Sequence, residues 1–431
     1  MSLLLWVEMF SGAGIPAATA QLLPRHQGQE AALERTARGL LLCVAFLLFA
    51  LCWALAPSVA TLFDITDGST LIRVAILDLP FNGVYLAYQG LLNGQRRFGA
   101  LSVTFVIYAL TKLVGTLLLV AYGLSVTGAL LVNALATIGA LVFLAIRSPP
   151  RSWMPVPALA RAMVRIGAAM GLYLLVLQVL LSLDLWFLKA LWTGPAEVIG
   201  YYVAALNVAR IPTIVPSVLA GVLFASLVWA LARADEALAQ RYVRAAVRFA
   251  LVVLVPCSVL TVMYADWVME LLYSDKYRAG GAYLKLQICA FACMAFLDMF
   301  LHALMAANRR VLSAGILVGL VPASVVINLL LIPRFGAVGA AFSLLATIVL
   351  GTLIAIFAAV RRFGTAGAPL TVARIGAAAV LMTLIGMTLP LPEQWLVLKI
   401  LIMLISYLAF LVITKEIRPS ELTGFSVLKA D

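Results

Sequence analysis

Two cations stand inside long apolar stretches of this chain, where a charge is unexpected. Lys112 lies near the middle of one stretch and Arg210 near the middle of another. A guanidinium binds an oxyanion through two parallel hydrogen bonds, and an ammonium acts as a point charge. The two side chains are therefore suited to binding a phosphate-like anion. Arg73 and Arg165, nearer the ends of their stretches, are further candidates for the same site.

Four titratable side chains accompany these cations and are their candidate charge or coupling partners: Asp78, Asp184, Asp298 and His302. A charge at bilayer depth costs roughly 2.5 to 3.5 kcal/mol, so each must face a watery cavity or a partner. In one interpretation Lys112 and Arg210 line a central cavity. In the other, Lys112 pairs with Asp78. Arg210 then pairs with Asp184. For the outer arginines, snorkelling to the interface is a competing role.

Other chemistries lack the residues they require. The five cysteines fall inside apolar runs without zinc spacing, and the two histidines are far apart, so we predict neither a metal nor a catalytic centre. No glycine-rich loop precedes a Lys-Ser or Lys-Thr pair, and no cofactor is expected. The net charge of +12 does not indicate nucleic acid, because the basic residues lie in short connecting loops.

The elements that must position these residues are transmembrane helices. Of the residues, 65% are hydrophobic and 11% are charged, whereas soluble domains carry about 25% charged residues. A helix needs about 20 apolar residues to cross the bilayer. We predict an all-α polytopic membrane protein with about thirteen spans, at roughly 2–23, 39–63, 71–92, 99–122, 124–146, 163–190, 197–224, 245–272, 281–306, 311–332, 335–360, 371–390 and 394–414.

The charges of the loops alternate and orient the chain. Most of the 30 Lys and Arg residues lie in every second loop, including the pairs Arg96-Arg97, Arg309-Arg310 and Arg361-Arg362. Cytoplasmic loops retain such residues during insertion. We therefore expect an inner-membrane protein with a cytoplasmic C-terminus, and the same count places Met1 on the far side.

An internal repeat divides the chain into two lobes. Arg96-Arg97 matches Arg309-Arg310, Gly123 matches Gly336, and LATI from Leu135 recurs from Leu345. A shift of six helices preserves orientation, which is typical of a parallel repeat. The first lobe is one helix short, so we expect a further N-terminal helix in the complete protein. The predicted divisions are an N-terminal lobe, a cytoplasmic linker, a C-terminal lobe, and two further helices with a tail, at 1–146, 147–162, 163–361 and 362–431.

Several ordered fragments resemble the polysaccharide transporters, or Wzx-like flippases, of the multidrug/oligosaccharidyl-lipid/polysaccharide exporter superfamily. They are GIPAATAQLL, QGLLNGQRRFGALS, SLDLWFLKAL, IGYYVAALNVARIP, LYSDKY and VINLLLIPRFGAVGAAFSLLAT. The resemblance implies two pseudo-symmetric helical lobes. It also implies a flippase that moves an undecaprenyl-diphosphate-linked oligosaccharide across the inner membrane for O-antigen, capsule or exopolysaccharide assembly. The cavity cations would then hold the diphosphate, and polymerase and chain-length regulator proteins are possible partners.

Three alternatives remain open at this point. A cation-coupled multidrug exporter of the same superfamily should have an acidic cavity, which disagrees with Lys112 and Arg210. A membrane glycosyltransferase, polymerase or ligase would need a large catalytic loop, whereas the predicted loops are short. The third alternative is a non-transporting component of a polysaccharide export complex.

Overall fold

The computed structural model describes residues 12, 14–23, 29–62, 68–95, 97–147, 154–364, 369–389 and 395–416, and within them it contains helices and no strand. The helices are α1 Ile15–Leu22, α2 Glu30–Leu62, α3 Gly68–Ile76, α4 Leu79–Gly94, α5 Phe98–Leu119, α6 Ser125–Arg147, α7 Pro157–Leu180, α8 Leu183–Leu191, α9 Ala196–Arg210, α10 Ile214–Ala232, α11 Glu236–Met263, α12 Ala265–Tyr273, α13 Gly281–Ala306, α14 Arg310–Phe363, α15 Pro369–Thr388 and α16 Leu396–Ile413.

Ten helical segments of the described residues are long and apolar enough to cross a membrane. The prediction of an all-α polytopic membrane protein is confirmed. The predicted number of thirteen spans stays a prediction, because several spans are divided or joined. For example, α14 has 54 residues and would be about 80 Å long if straight, far more than one bilayer needs.

The chain reverses inside α14 at Gly336, whose φ of 57° and ψ of −134° lie in a region that only glycine populates freely. After the turn, Gly339 packs against Leu331 and Gly351 packs against Leu320, so the two halves, 310–335 and 337–363, run antiparallel. In the first lobe, Gly123 also has a positive φ, of 85°, between α5 and α6. The two glycines matched by the sequence repeat therefore both have a positive φ between two helices, although their ψ values, 5° and −134°, differ.

Several predicted spans are interrupted rather than continuous. The third is divided between α3 and α4 at Asp78, and the sixth between α7 and α8 at Ser182. The seventh changes from α9 to α10 through a short 3-10 turn, Ile211–Thr213, which contains Pro212. Proline lacks the N–H that continues a helix, which explains the last interruption. Each interruption exposes helix ends inside an apolar bundle.

The helices form two compact units, residues 1–178 and 179–431. In the first unit, α1, α2, α4 and α7 share an apolar core that includes Leu33, Leu91 and Met163. Gly90 of α4 lies directly against the backbone of Pro16 in α1, so two of the family-like fragments pack together. In the second unit, α13 is central and contacts α9, α10, α11 and α14.

The predicted domain divisions stay predictions. Residues 148–153 of the proposed linker and the tail from 417 onwards lie outside the described residues, as does half of the predicted 2–23 span.

The two C-terminal helices pack on α11. Ile375 and Met382 of α15 and Tyr407 of α16 form an apolar cluster with Val255 and Leu260 of α11. At one end of this cluster a buried carboxylate, Glu416, accepts hydrogen bonds from Thr371 at 2.8 Å and Arg374 at 3.0 Å. The appended helices are thus an integral part of the second unit.

Candidate functional site

Buried charges of the second unit lie at helix ends. Asp184 stands in the first turn of α8, and Arg210 is the last residue of α9, just before the turn at Pro212. The N-terminal end of a helix carries partial positive charge and the C-terminal end partial negative charge. Both side chains therefore have the sign that the adjoining helix end stabilises.

Tyr202 connects these charges to the rest of the unit. Its hydroxyl donates a short hydrogen bond to Oδ2 of Asp184, and both residues are fully buried. Nε2 of Gln287, on α13, donates to the Tyr202 carbonyl at 3.4 Å. The guanidinium carbon of Arg210 lies 5.5 Å from the ring centre of Phe291, within cation–π range. Three helices, α8, α9 and α13, thus contribute to one polar cluster.

Arg210 and Asp184 are close enough for electrostatic attraction, but no N···O distance of 4.0 Å or less joins them. Nε of Arg210 and Oε1 of Gln287 are buried, and neither has a hydrogen-bond partner among the described residues. Because buried polar atoms are nearly always paired, this cluster has unused capacity to hold a proton, a water molecule or an ionic group.

The first unit has a similar but separate cluster. Asp78 is 4% exposed and precedes α4, so it too lies at a helix N-terminal end. The Lys112 charge on α5 attracts the Asp78 carboxylate without direct contact, and its Nζ lies 5.5 Å from the ring centre of Tyr108. Tyr108 stacks on Tyr85 of α4, with the ring centres 6.1 Å apart. Nearby on α6, Asn133 is buried and its Oδ1 has no partner among the described residues.

The other predicted site residues lie elsewhere. Arg73 of α3 stacks over Trp53 of α2 at 5.2 Å, and Arg165 is exposed on α7. Asp298 and His302 occupy successive turns of α13, with Oδ1 and Nδ1 3.3 Å apart. The structure therefore brings Lys112 near Asp78 and Arg210 near Asp184, and it does not bring the four cations into one group within either unit.

Two polar residues of these units were missed from the sequence. Arg38 was assigned to a loop, but α2 begins at Glu30 and Arg38 is 2% exposed, paired with Glu34 and within 3.4 Å of the Tyr88 hydroxyl. The spacing of Glu34 and Arg38, one helical turn, was the available signal. Gln287 carries no charge, so the pattern of ionisable residues inside the spans does not indicate it.

Metal ligands are not grouped in the part of the chain that the structure describes: no three His, Cys, Asp or Glu side chains could hold an ion together. Glu8, an acidic residue inside the first predicted span, lies outside the described residues.

Comparison with known families identifies the chain. The sequence model of a family described as polysaccharide biosynthesis protein matches residues 1–280. The chain belongs to this family. Among curated protein sequences, none is significantly similar to it. The family of polysaccharide transporters indicated by the sequence fragments is thus confirmed.

Solved structures of similar fold are membrane transporters. The lipid II flippase MurJ in an inward closed conformation superposes with a TM-score of 0.75 at 14% identity, over 97% of this chain and 91% of MurJ. An inward-facing multidrug resistance MATE transporter of the MOP superfamily superposes with a TM-score of 0.70 at 14% identity, over 84% of this chain and 88% of the transporter. A MOP superfamily transporter from Pyrococcus furiosus Vc1, whose binding pocket has reverse polarity, superposes with a TM-score of 0.64 at 13% identity. The superposition covers 84% of this chain and 86% of that transporter.

These findings place the chain in a polysaccharide biosynthesis family. It is a multi-pass membrane protein whose helical fold is similar to those of the MurJ and MATE structures. Its family-like fragments also meet in space: Tyr202 of IGYY contacts Asp184 of SLDLW, and Tyr201 packs edge-on against Tyr277 of LYSDKY, 5.2 Å away.

Proposed function

We propose that this protein is a flippase for a lipid-linked oligosaccharide repeat unit carried on undecaprenyl diphosphate. The repeat unit would be used for O-antigen, capsule or exopolysaccharide assembly. The observation that carries the proposal is the family match, in a chain whose fold is that of membrane transporters. A sugar head group cannot cross hydrocarbon unaided, so its transfer requires alternating exposure to the two sides of the membrane.

The cations at depth support an anionic substrate. Arg210 and Lys112 are each held near a carboxylate without a direct ion pair, which leaves their hydrogen-bonding groups available for a diphosphate. A multidrug exporter for cationic compounds would be expected to carry the opposite charge at depth. In this proposal Asp78, Asp184 and the Asp298–His302 pair are candidate coupling groups, and Arg73 and Arg165 are outer contacts for the substrate.

Complementation of a bacterial strain lacking its own oligosaccharide flippase tests the function. We expect surface polymer to be restored by the intact chain, with the protein in the inner membrane. Lys112→Gln or Arg210→Gln should lower polymer at least ten-fold at equal membrane abundance. Lys189→Gln, which changes an exposed lysine near a helix end, is the matched control and should leave polymer unchanged.

Two results would overturn the proposal. Restored drug resistance without surface polymer would indicate a multidrug exporter. Failure of the intact, correctly inserted chain to move any fluorescent lipid-linked oligosaccharide across reconstituted vesicles would indicate a non-transporting component. Unchanged transport by both cation variants would show that Lys112 and Arg210 only stabilise the helices.

A further inference from the structure

A groove runs along the outer face of α14, within the second unit. Its volume is about 890 Å³, and its walls are the apolar side chains Val311, Leu312, Ile316, Leu320, Leu350 and Ile354. The first four belong to the half of α14 before Gly336 and the last two to the antiparallel half after it. The groove therefore lies between two helices of one hairpin.

Two glycines form the floor of the groove. A Cβ atom added to Gly315 or Gly319 would meet no described atom within 4 Å. Glycines spaced by four residues usually let another helix approach closely in a membrane, yet no described helix packs against this pair. The missing side chains instead widen a channel for a narrow apolar chain.

The groove has the depth of one leaflet. From Arg309 to Leu320 the helix rises about 16 Å at 1.5 Å per residue, roughly half of a 30 Å hydrocarbon core. The groove thus matches a lipid chain that starts at the membrane surface and ends near the midplane.

One basic residue lines the surface end of the groove, and two others lie at the same end of the hairpin. Arg309 lines its mouth and is exposed, Arg310 follows it, and Arg361 is exposed at the end of the antiparallel half. Basic pockets between membrane helices attract the phosphates of anionic lipids. By contrast, a second copy packed in parallel through the glycines would place these arginines against their own counterparts, which is unfavourable.

We propose that this groove binds one anionic glycerophospholipid of the surrounding leaflet, which the loop charges predict to be the cytoplasmic one. Its phosphate lies at Arg309 and one acyl chain lies over Gly315 and Gly319. An undecaprenyl chain is much longer than one leaflet is deep, so the substrate lipid fits this groove less well. This lipid would occupy the groove irrespective of which substrate the protein transports.

Native mass spectrometry of the intact chain tests the site. The protein is extracted from vesicles of phosphatidylcholine and phosphatidylglycerol in equal amounts, and retained lipids are counted. We expect one phosphatidylglycerol per chain. The double variant Gly315→Leu/Gly319→Leu should reduce retention at least ten-fold, because leucines fill the floor. Arg309→Gln should reduce it about five-fold, the effect of one basic residue near an anionic membrane surface.

Matched controls separate the groove from general effects. Gly376→Leu introduces the same side chain at an open position of α15, and Arg334→Gln removes a charge at the other end of the same half-helix. Both should retain the lipid. Should the double variant fail to fold, Ile354→Trp fills the groove from its opposite wall and must also release the lipid.

Four outcomes would overturn the inference. They are equal retention by wild type and groove variants, equal retention of phosphatidylcholine, displacement of phosphatidylglycerol by undecaprenyl phosphate at equal concentration, and a wild-type dimer that the glycine variants dissociate. The third would assign the groove to the substrate lipid and the fourth to a second copy of the chain.

Discussion

Three charged residues inside the helical units, Asp78, Asp184 and Arg210, are stabilised by helix ends as well as by neighbouring side chains. Asp78 and Asp184 stand at helix N-terminal ends and Arg210 at a C-terminal end. Each helix end contributes about half a unit charge of the opposite sign, and inside the bilayer this contribution is little screened. An interrupted helix thus provides partial charges at its ends that stabilise ionised side chains inside the bilayer. A continuous helix has no such ends at that depth.

A prediction concerns the hydroxyl of Tyr202. Tyr202→Phe leaves Oδ2 of Asp184 without its donor in a fully buried place, so we expect a loss of about 2 kcal/mol in the free energy of unfolding. Tyr283→Phe is the control, because the Tyr283 ring packs 5.8 Å from Tyr202 but its hydroxyl has no hydrogen bond among the described residues. Denaturation of the solubilised protein, followed by circular dichroism, measures both. Equal losses of unfolding free energy in the two variants would show that the hydrogen bond from Tyr202 to Asp184 makes no specific contribution to stability.

Among the elements, α16 supplies a hydrogen bond that α11 lacks because of a proline. Pro256 inside α11 has no N–H, so the carbonyl of Val252, one turn earlier, lacks its helical donor. The hydroxyl of Tyr407, which is fully buried on α16, donates to that carbonyl at 3.3 Å. In the membrane a backbone group without a partner is costly, so the appended helix completes the hydrogen bonding of α11.

This dependence predicts a non-additive pair of substitutions. Tyr407→Phe alone should lower the free energy of unfolding by about 1 kcal/mol. In a Pro256→Ala background the same substitution should cost close to nothing, because the restored N–H at position 256 donates to the Val252 carbonyl. Thermal unfolding in detergent of the four proteins of this cycle measures the coupling. Equal costs in both backgrounds would mean that the Tyr407 hydroxyl does not compensate for the N–H that Pro256 lacks.

At the scale of the whole molecule, the orientation in the membrane follows from loop charge. Since α13 connects residues 279 and 307 across one span, the two positions should lie on opposite faces. In a cysteine-free background, we expect Ala307→Cys to react with an impermeant maleimide only from the cytoplasmic side. Ala279→Cys should react only from the periplasmic side. Labelling after permeabilisation is the control for accessibility, and the reverse pattern would contradict the predicted cytoplasmic C-terminus.

Much of the fold could be predicted from local properties of the sequence. Long apolar runs indicated membrane helices, and the match of Gly123 with Gly336 indicated two related lobes, which the turns at both glycines support. Helix starts are harder to predict: the apolar run indicates a start at residue 39, whereas α2 begins at Glu30, because the charged Glu34–Arg38 pair lies inside the helix. Hydropathy does not distinguish a buried ion pair from solvated charges.

The sequence alone is sufficient to identify a helical membrane protein of a polysaccharide biosynthesis family, because composition, span length and ordered fragments are properties of the chain alone. The hydrogen bonds between helices required the tertiary structure. Tyr202 donates to Asp184, and Gln287 donates to the Tyr202 carbonyl. Tyr407 donates to the Val252 carbonyl, which lacks a helical donor because of Pro256. These contacts join residues on separate helices, and their partners are set by how helix faces pack, which apolar periodicity leaves undetermined.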